Sequence, residues 1–391
     1  MAQMNSKTKA PAYDKKTALV LQGGGALGSY QAGVYEAMDG TDYQPDWVAG
    51  ISIGAINAAI IAGNEPKDRV ARLRDFWNTI TAPTAFWPAA PSGPLRVLQK
   101  SLGANMALMF GQPGFFKPLS LSDWLAPEKP SSYYSTDALK QTLLDLVDFE
   151  RINHPDEMRL SVGAVNVQTG RFAYFDNRDI TIRPEHIMAS GALPPGFPPV
   201  EIDGQYYWDG GLVSNTPLQY VLDYYPRRSR LTFQVDVFQA FGPLPQDLNM
   251  VSEREKDIRY SSRTRVNTDA FAQKHDVRHA INELHKLLPK ELADSPEAKR
   301  LYAHGCVTEM DIVQIIYRPT EPQGASKDHD FSRTTMDRRW QQGLSDARLT
   351  MEAQPWLAPN HENKGVRLFD VIHDRLMAEM KKKQSAPLKA S

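Results

Sequence analysis

One cysteine in 391 residues, Cys306, excludes an intrachain disulfide and is expected to be an inert buried thiol. No apolar run approaches the ~20 residues of a helical membrane span. Residues 1–16 carry lysines but no apolar core, so they do not read as a secretory signal and are expected to be a disordered tail. Neither sign of charge dominates. The 45 basic and 46 acidic side chains leave a formal net charge of −1, which removes the electrostatic case for binding nucleic acid. The hydrophobic set makes up 41% of the chain, enough for one large domain with an extension or for two domains. A cytoplasmic globular protein fits this composition.

Glycine is placed with more purpose. Gly50-Ile51-Ser52-Ile53-Gly54 sets a serine between glycines. It follows the apolar run Trp47-Val48-Ala49 and precedes the helix-like Ala55–Ile60. A strand-to-helix turn this tight brings backbone against backbone, and Gly50 and Gly54 keep that space clear. Upstream, Ala18–Leu21 reads as a buried strand, followed by Gly23-Gly24-Gly25-Ala26-Leu27-Gly28 and a helix over Tyr30–Met38. Bare backbone at a helix start offers N–H donors to a negative charge.

Gly23-x-Gly25-x-x-Gly28 also fits a dinucleotide-binding loop. That alternative wants an acid about 20 residues on, at the end of the next strand. Asp42 and Asp46 fall before that strand, which runs directly into the serine turn. The placement favours a site for an oxyanion. Far downstream, Gln205–Trp208 reads as a strand, and Asp209-Gly210-Gly211 puts a carboxylate at its end, where a base for the serine could sit. An Asp-Gly turn alone would mean little; with the other two motifs it reads as functional.

In this order the motifs resemble the patatin-like phospholipase family. Ala189-Ser190-Gly191-Ala192-Leu193-Pro194-Pro195 is similar to the stretch that precedes that family's aspartate. The resemblance spans roughly residues 17–224. It implies a three-layer α/β/α core with a mostly parallel sheet and ester hydrolysis on lipids by a Ser-Asp dyad, Ser52 and Asp209. Gly23, Gly24, Gly25, Ala26 and Ile53 would form the oxyanion hole, and Gly28, Gly50, Gly54, Gly210 and Gly211 would shape the loops. No metal or organic cofactor is implied. The family commonly carries Lys or Arg before the last glycine of its first loop; Leu27 stands there.

The nine histidines offer a weaker base. His186, just before the Ser190 segment, is the best contender, with a local capping or packing role as the plainer account. His275, His279 and His285 lie in a charged helical stretch and read as solvated.

The expected organisation is a tail over 1–16, a catalytic domain over 17–248 and a mainly helical extension over 249–391. Residues 81–132, rich in Pro, Gly and aromatics, read equally as a lid-like insertion and as satellite core, with a short helix over Val97–Phe110. Val251–Leu288 reads as one long helix. Its stripe of Val266, Ala270, Val277, Ile281, Leu284 and Leu288 should pack on the core or on a second copy in a homodimer. Met310–Tyr317 reads as a strand, and Phe331–Glu352 and Val366–Lys383 as helices. The expected partner is a lipid or another hydrophobic ester, with transient membrane-surface contact; the alternative is a short-chain ester or a hydroxyalkanoate oligomer.

Overall fold

The computed structural model describes residues 15–81, 111–127, 129–360 and 364–385. Residues 1–14 of the expected tail and residues 82–110 of the expected insertion, with the helix expected over Val97–Phe110, lie outside the described residues.

Nine strands form one sheet among the described residues. They are β1 (Lys16–Leu21), β2 (Trp47–Gly50), β3 (Arg159–Asn166), β4 (Phe172–Asp176), β5 (Val200–Ile202), β6 (Gln205–Asp209), β7 (Arg230–Asp236), β8 (Met310–Ile316) and β9 (Val366–Phe369). The order is β9-β8-β7-β1-β2-β3-β6-β5, with β4 also paired to β3. From β9 to β3 the strands are parallel; β4, β5 and β6 are antiparallel additions at one side.

β1 shows why three layers result. Successive strand residues point to opposite faces. Leu19 and Leu21 enter one apolar cluster, and Ala18 and Val20 enter another. The first cluster lies under α1 (Ser29–Met38), α2 (Ile53–Ala62), α3 (Arg69–Ile80) and α8 (Arg333–Ala353). The second is covered by α6 (Leu218–Asp223) and by Phe271 of α7 (Leu248–Leu287). Two further helices, α4 (Asp137–Leu146) and α5 (Pro184–Ser190), pack on one another beside the first layer, and α9 (Val371–Ser385) ends the described chain. The β5–β6 hairpin turns at Asp203 and Gly204, both at positive φ (51° and 76°), as a two-residue hairpin of this twist requires.

Three sequence expectations need correction. The tail is shorter, because β1 begins at Lys16 and the Lys15 ammonium lies 2.9 Å from the carboxylates of both Glu309 and Asp311. The region beyond 249 is mainly helical and holds the expected strand, β8, but it belongs to the core sheet and does not merely pack on it: β8 pairs with β7 over seven residues and β9 continues the sheet. The helix expected from Val366 starts only at Val371, because Val366–Phe369 is a β-rich run paired with β8. Asp370 then accepts the His373 N–H at 3.0 Å.

The stripe on α7 faces away from the core. Val266, Val277 and Leu284 are about three-fifths exposed, at 60%, 61% and 61%. The covered face is largely polar. Thr264 Oγ1 lies 2.8 Å from Thr216 Oγ1, and Arg278 donates to Asp223 at 2.9 Å. His275, expected to be solvated, is fully buried with Nε2 2.8 Å from the Thr308 carbonyl. The helix is seated by hydrogen bonds and by Phe271, so of the two expected packings of the stripe the one on the core does not occur. Cys306 is only half-buried, with its sulfur 3.0 Å from Thr308 Oγ1.

Candidate active site

β3 is the ruler that brings the two distant motifs together. Gly50 at the end of β2 pairs with Val162 of β3, and Asp209 at the end of β6 pairs with Ala164, two residues along. Ser52 lies two residues past Gly50. Its side chain and that of Asp209 line one cleft.

Ser52 sits at φ 55°, ψ −125°, at the head of α2. A non-glycine residue held there stores strain that its surroundings must enforce. The enforcement is visible. A Cβ on Gly50 would lie 2.2 Å from the Gly54 carbonyl oxygen, and one on Gly54 would lie 2.4 Å from that of Leu21. The Ser52 N–H is held by the Ser190 carbonyl at 3.1 Å and by Ser190 Oγ at 3.0 Å. Ser190 Oγ donates in turn to the Gly163 carbonyl at 2.7 Å. The segment before the aspartate thus braces the serine turn.

Asp209 is 2% exposed. Burial pushes its pKa up to about 7, against the opposing pull of the Gly211 N–H, 2.7 Å from Oδ1, and of the Ser52 hydroxyl. Gly210 is pressed on the neighbouring strand: a Cβ there would lie 2.6 Å from the Gly163 carbonyl oxygen. His186 lies elsewhere, buried in α5 against Phe175, with Nδ1 accepting the Arg183 N–H at 2.8 Å. It caps and packs.

The glycine loop forms the wall beside Ser52. Among the described residues the N–H groups of Gly24, Gly25 and Ile53 have no hydrogen-bond partner, and all three residues line the cleft. Gly23 differs: its N–H donates to the Asn215 carbonyl at 3.0 Å and its carbonyl accepts from Asn215 Nδ2 at 2.8 Å. Ala26 is buried behind the wall, where its carbonyl accepts from Arg339 at 3.1 Å. Gly28 packs on Ile53, which a Cβ would approach to 2.6 Å. Three of the five expected oxyanion residues therefore have free donors at the cleft, and two hold the loop in place.

The cleft has a volume of about 280 Å³ and a largely aromatic wall. Phe115, Phe116, Phe197 and Phe331 pack edge to face around it, with ring centres 5.3–6.5 Å apart. Tyr260, Asp328, His329 and Phe331, all from the region beyond 249, complete the lining. The motifs gave no sign of them, because nothing local marks a loop that reaches another domain's cleft. Asn215 was also missed; its position four residues after Gly211 is the only local signal. Among the described residues the lining holds no lysine or arginine. The Lys327 ammonium sits buried behind it, 2.5 Å from Asp257, and over the face of Phe238.

The model of the family described as patatin-like phospholipase matches residues 19–222, and that described as patatin phospholipase matches residues 258–363. No curated protein matches the chain. Among solved structures, the chain is similar to VipD from Legionella pneumophila (14% identity, TM-score 0.40), covering 95% of this chain and 75% of that one. It is also similar to human GIVD cytosolic phospholipase A2 (10% identity, TM-score 0.35; 86% of this chain and 58% of that one). A third is the ExoU-SpcU complex from the type III secretion system of Pseudomonas aeruginosa (17% identity, TM-score 0.29; 74% and 69%).

Proposed function

The chain belongs to the patatin-like phospholipase family and is a lipid acyl hydrolase, and from that premise we propose that it cleaves carboxylic esters through Ser52 and Asp209 alone. The observation that carries this reading is the meeting of Ser52 and the buried Asp209 carboxylate in one cleft, beside three free N–H groups. Asp209 takes the serine proton as Ser52 Oγ attacks the ester carbonyl. A C–O bond forms and the carbonyl becomes an oxyanion, held by the N–H groups of Gly24, Gly25 and Ile53. A preorganised donor of this kind is worth about 3 kcal/mol of barrier. The tetrahedral intermediate expels the alcohol, which takes the proton back from Asp209. Water attacks the acyl-serine by the same route, and the acid leaves. The aromatic wall would hold the acyl chain.

A second reading of the substrate has its own support. Among the described residues the cleft lining carries carboxylates and no lysine or arginine, and Leu27 replaces the family's usual basic residue. That favours esters with an uncharged alcohol part over anionic phospholipids, including short-chain esters and hydroxyalkanoate oligomers.

A fluorophosphonate probe should label the protein and fail to label Ser52→Ala. Asp209→Asn should lower turnover of a p-nitrophenyl ester by several orders of magnitude with its fold intact. Full turnover in Asp209→Asn would end the dyad reading. Turnover that survives there but dies in His186→Ala would put a triad in its place. Comparing phosphatidylglycerol, phosphatidylcholine, acylglycerol and hydroxybutyrate-oligomer substrates separates the two substrate readings.

A further inference from the structure

Isolated apolar side chains on a surface are ordinary; a row of them along one face of a helix is less so. α7 has 40 residues and is about 60 Å long. On the side away from the core it carries Leu248, Val251, Ile258, Val277, Leu284 and Leu287, each 48–84% exposed, with Val266 between them. At 100° per residue they fall within one narrow stripe. The opposite face is the one seated on the core, by Asp257, Thr264, Phe271 and His275.

The charges beside the stripe are unevenly distributed. Arg259 and Arg265 lie in the first half of the helix, where Arg259 pairs with Glu255. Asp269, Asp276 and Glu283 lie in the second half. When two copies of the helix are laid antiparallel about a two-fold axis between residues 267 and 268, the outer stripe residues meet one another in register, and Val266 comes level with Asp269. Leu248 comes level with Leu287, Val251 with Leu284, Ile258 with Val277, and Arg259 with Asp276. The basic half then lies along the acidic half. A parallel pair would set like charges side by side. A bilayer-facing helix would want lysines and arginines along both flanks, whereas here one half is acidic. Isologous interfaces demand this self-complementarity.

We propose that α7 is a docking seam for a second copy of this chain, paired antiparallel through its outward stripe. The proposal does not depend on the hydrolytic mechanism. Sedimentation velocity of the full chain at micromolar concentration should give the mass of two chains. Arg259→Glu and Asp276→Arg should each weaken the dimer by about tenfold, and the double exchange should restore it. Val277→Asp should abolish the dimer while the melting temperature stays unchanged. In a Cys306→Ser background, Ile258→Cys mixed with Val277→Cys should cross-link on mild oxidation. Ile258→Cys alone should not, because its two copies would be about 28 Å apart along the seam. A monomer at every concentration overturns the proposal, as does a dimer indifferent to the charge exchange. A monomer that binds phosphatidylglycerol vesicles, and loses that binding in Val277→Asp, replaces the second copy with a membrane surface.

Discussion

Asp209 answers to two opposed demands. In the proposed role of base it must be ionised; as a buried side chain it resists ionisation, and its pKa rises from 3.8 to about 7. The rate constant kcat/KM should therefore climb with pH and level off above about 7, since only the ionised form accepts the serine proton. Stability should run the other way. Between pH 3.8 and about 7 the unfolded chain releases this proton more readily than the folded one, so folding weakens as pH rises. The penalty reaches about 4 kcal/mol at the top of that interval. Asp209→Asn removes it. The variant should be more stable than the parent at pH 8 by a few kcal/mol, with the difference closing by pH 4, as urea unfolding at the two pH values would record. A variant less stable at pH 8 would mean that the carboxylate is better solvated than its burial indicates. Such a cost fits a site that trades stability for function.

At the scale of elements, α1 and α8 decide how the glycine loop is held. They cross so closely that a Cβ on Gly33 would lie 2.0 Å from the Trp340 carbonyl oxygen, and one on Gly343 would lie 2.1 Å from that of Tyr30. Backbone meets backbone, and neither can yield without moving a helix. Gly343→Val should cost about 3 kcal/mol or more through overpacking. It should also lower turnover, because α1 begins directly after the glycine loop; thermal unfolding and ester turnover of the same sample test both effects. From α8 the buried guanidinium of Arg339 reaches the carbonyls of Ala26, Lys327 and Asp330 at 2.7–3.2 Å, tying the loop to the segment that carries Asp328. Gly25, at φ 53°, lies where a Cβ would meet the Asp328 carbonyl oxygen at 2.3 Å. Behind this contact Lys327 neutralises Asp257, with Glu253 3.6 Å away. Lys327→Met would leave those acids buried without their cation and should cost about 3–5 kcal/mol, read from the urea midpoint.

For the whole molecule, the sheet continues across the boundary expected near residue 249. With the chain cut there, β7 would lose a seven-residue pairing with β8, α1 would lose α8, and the cleft would lose Tyr260, Asp328, His329 and Phe331. A chain ending at residue 248 would expose an edge strand with buried-type sequence, an invitation to aggregation. Expressed alone it should be insoluble or fail to unfold cooperatively; a soluble fragment with a cooperative melt would show that the second region is dispensable for folding. Among the described residues no helix is long and apolar enough to cross a membrane.

The sequence by itself determined the parts that depend on near neighbours. The serine turn and the glycine loop were legible because each is a backbone conformation or a close approach that few residues tolerate. The buried strand β1 followed from a short apolar run, and the long helix of α7 from periodicity. Tertiary structure decided what periodicity cannot carry: which face of α7 turns inward, that Val366–Phe369 is a strand, and that residues 327–331 return to wall the cleft. Those outcomes rest on pairings across many tens of residues, in which hydrogen bonds such as Thr264 to Thr216 outweigh the local apolar pattern. The distance between Ser52 and Asp209 belongs to that class too, since it is measured out on β3, a strand that neither motif contains.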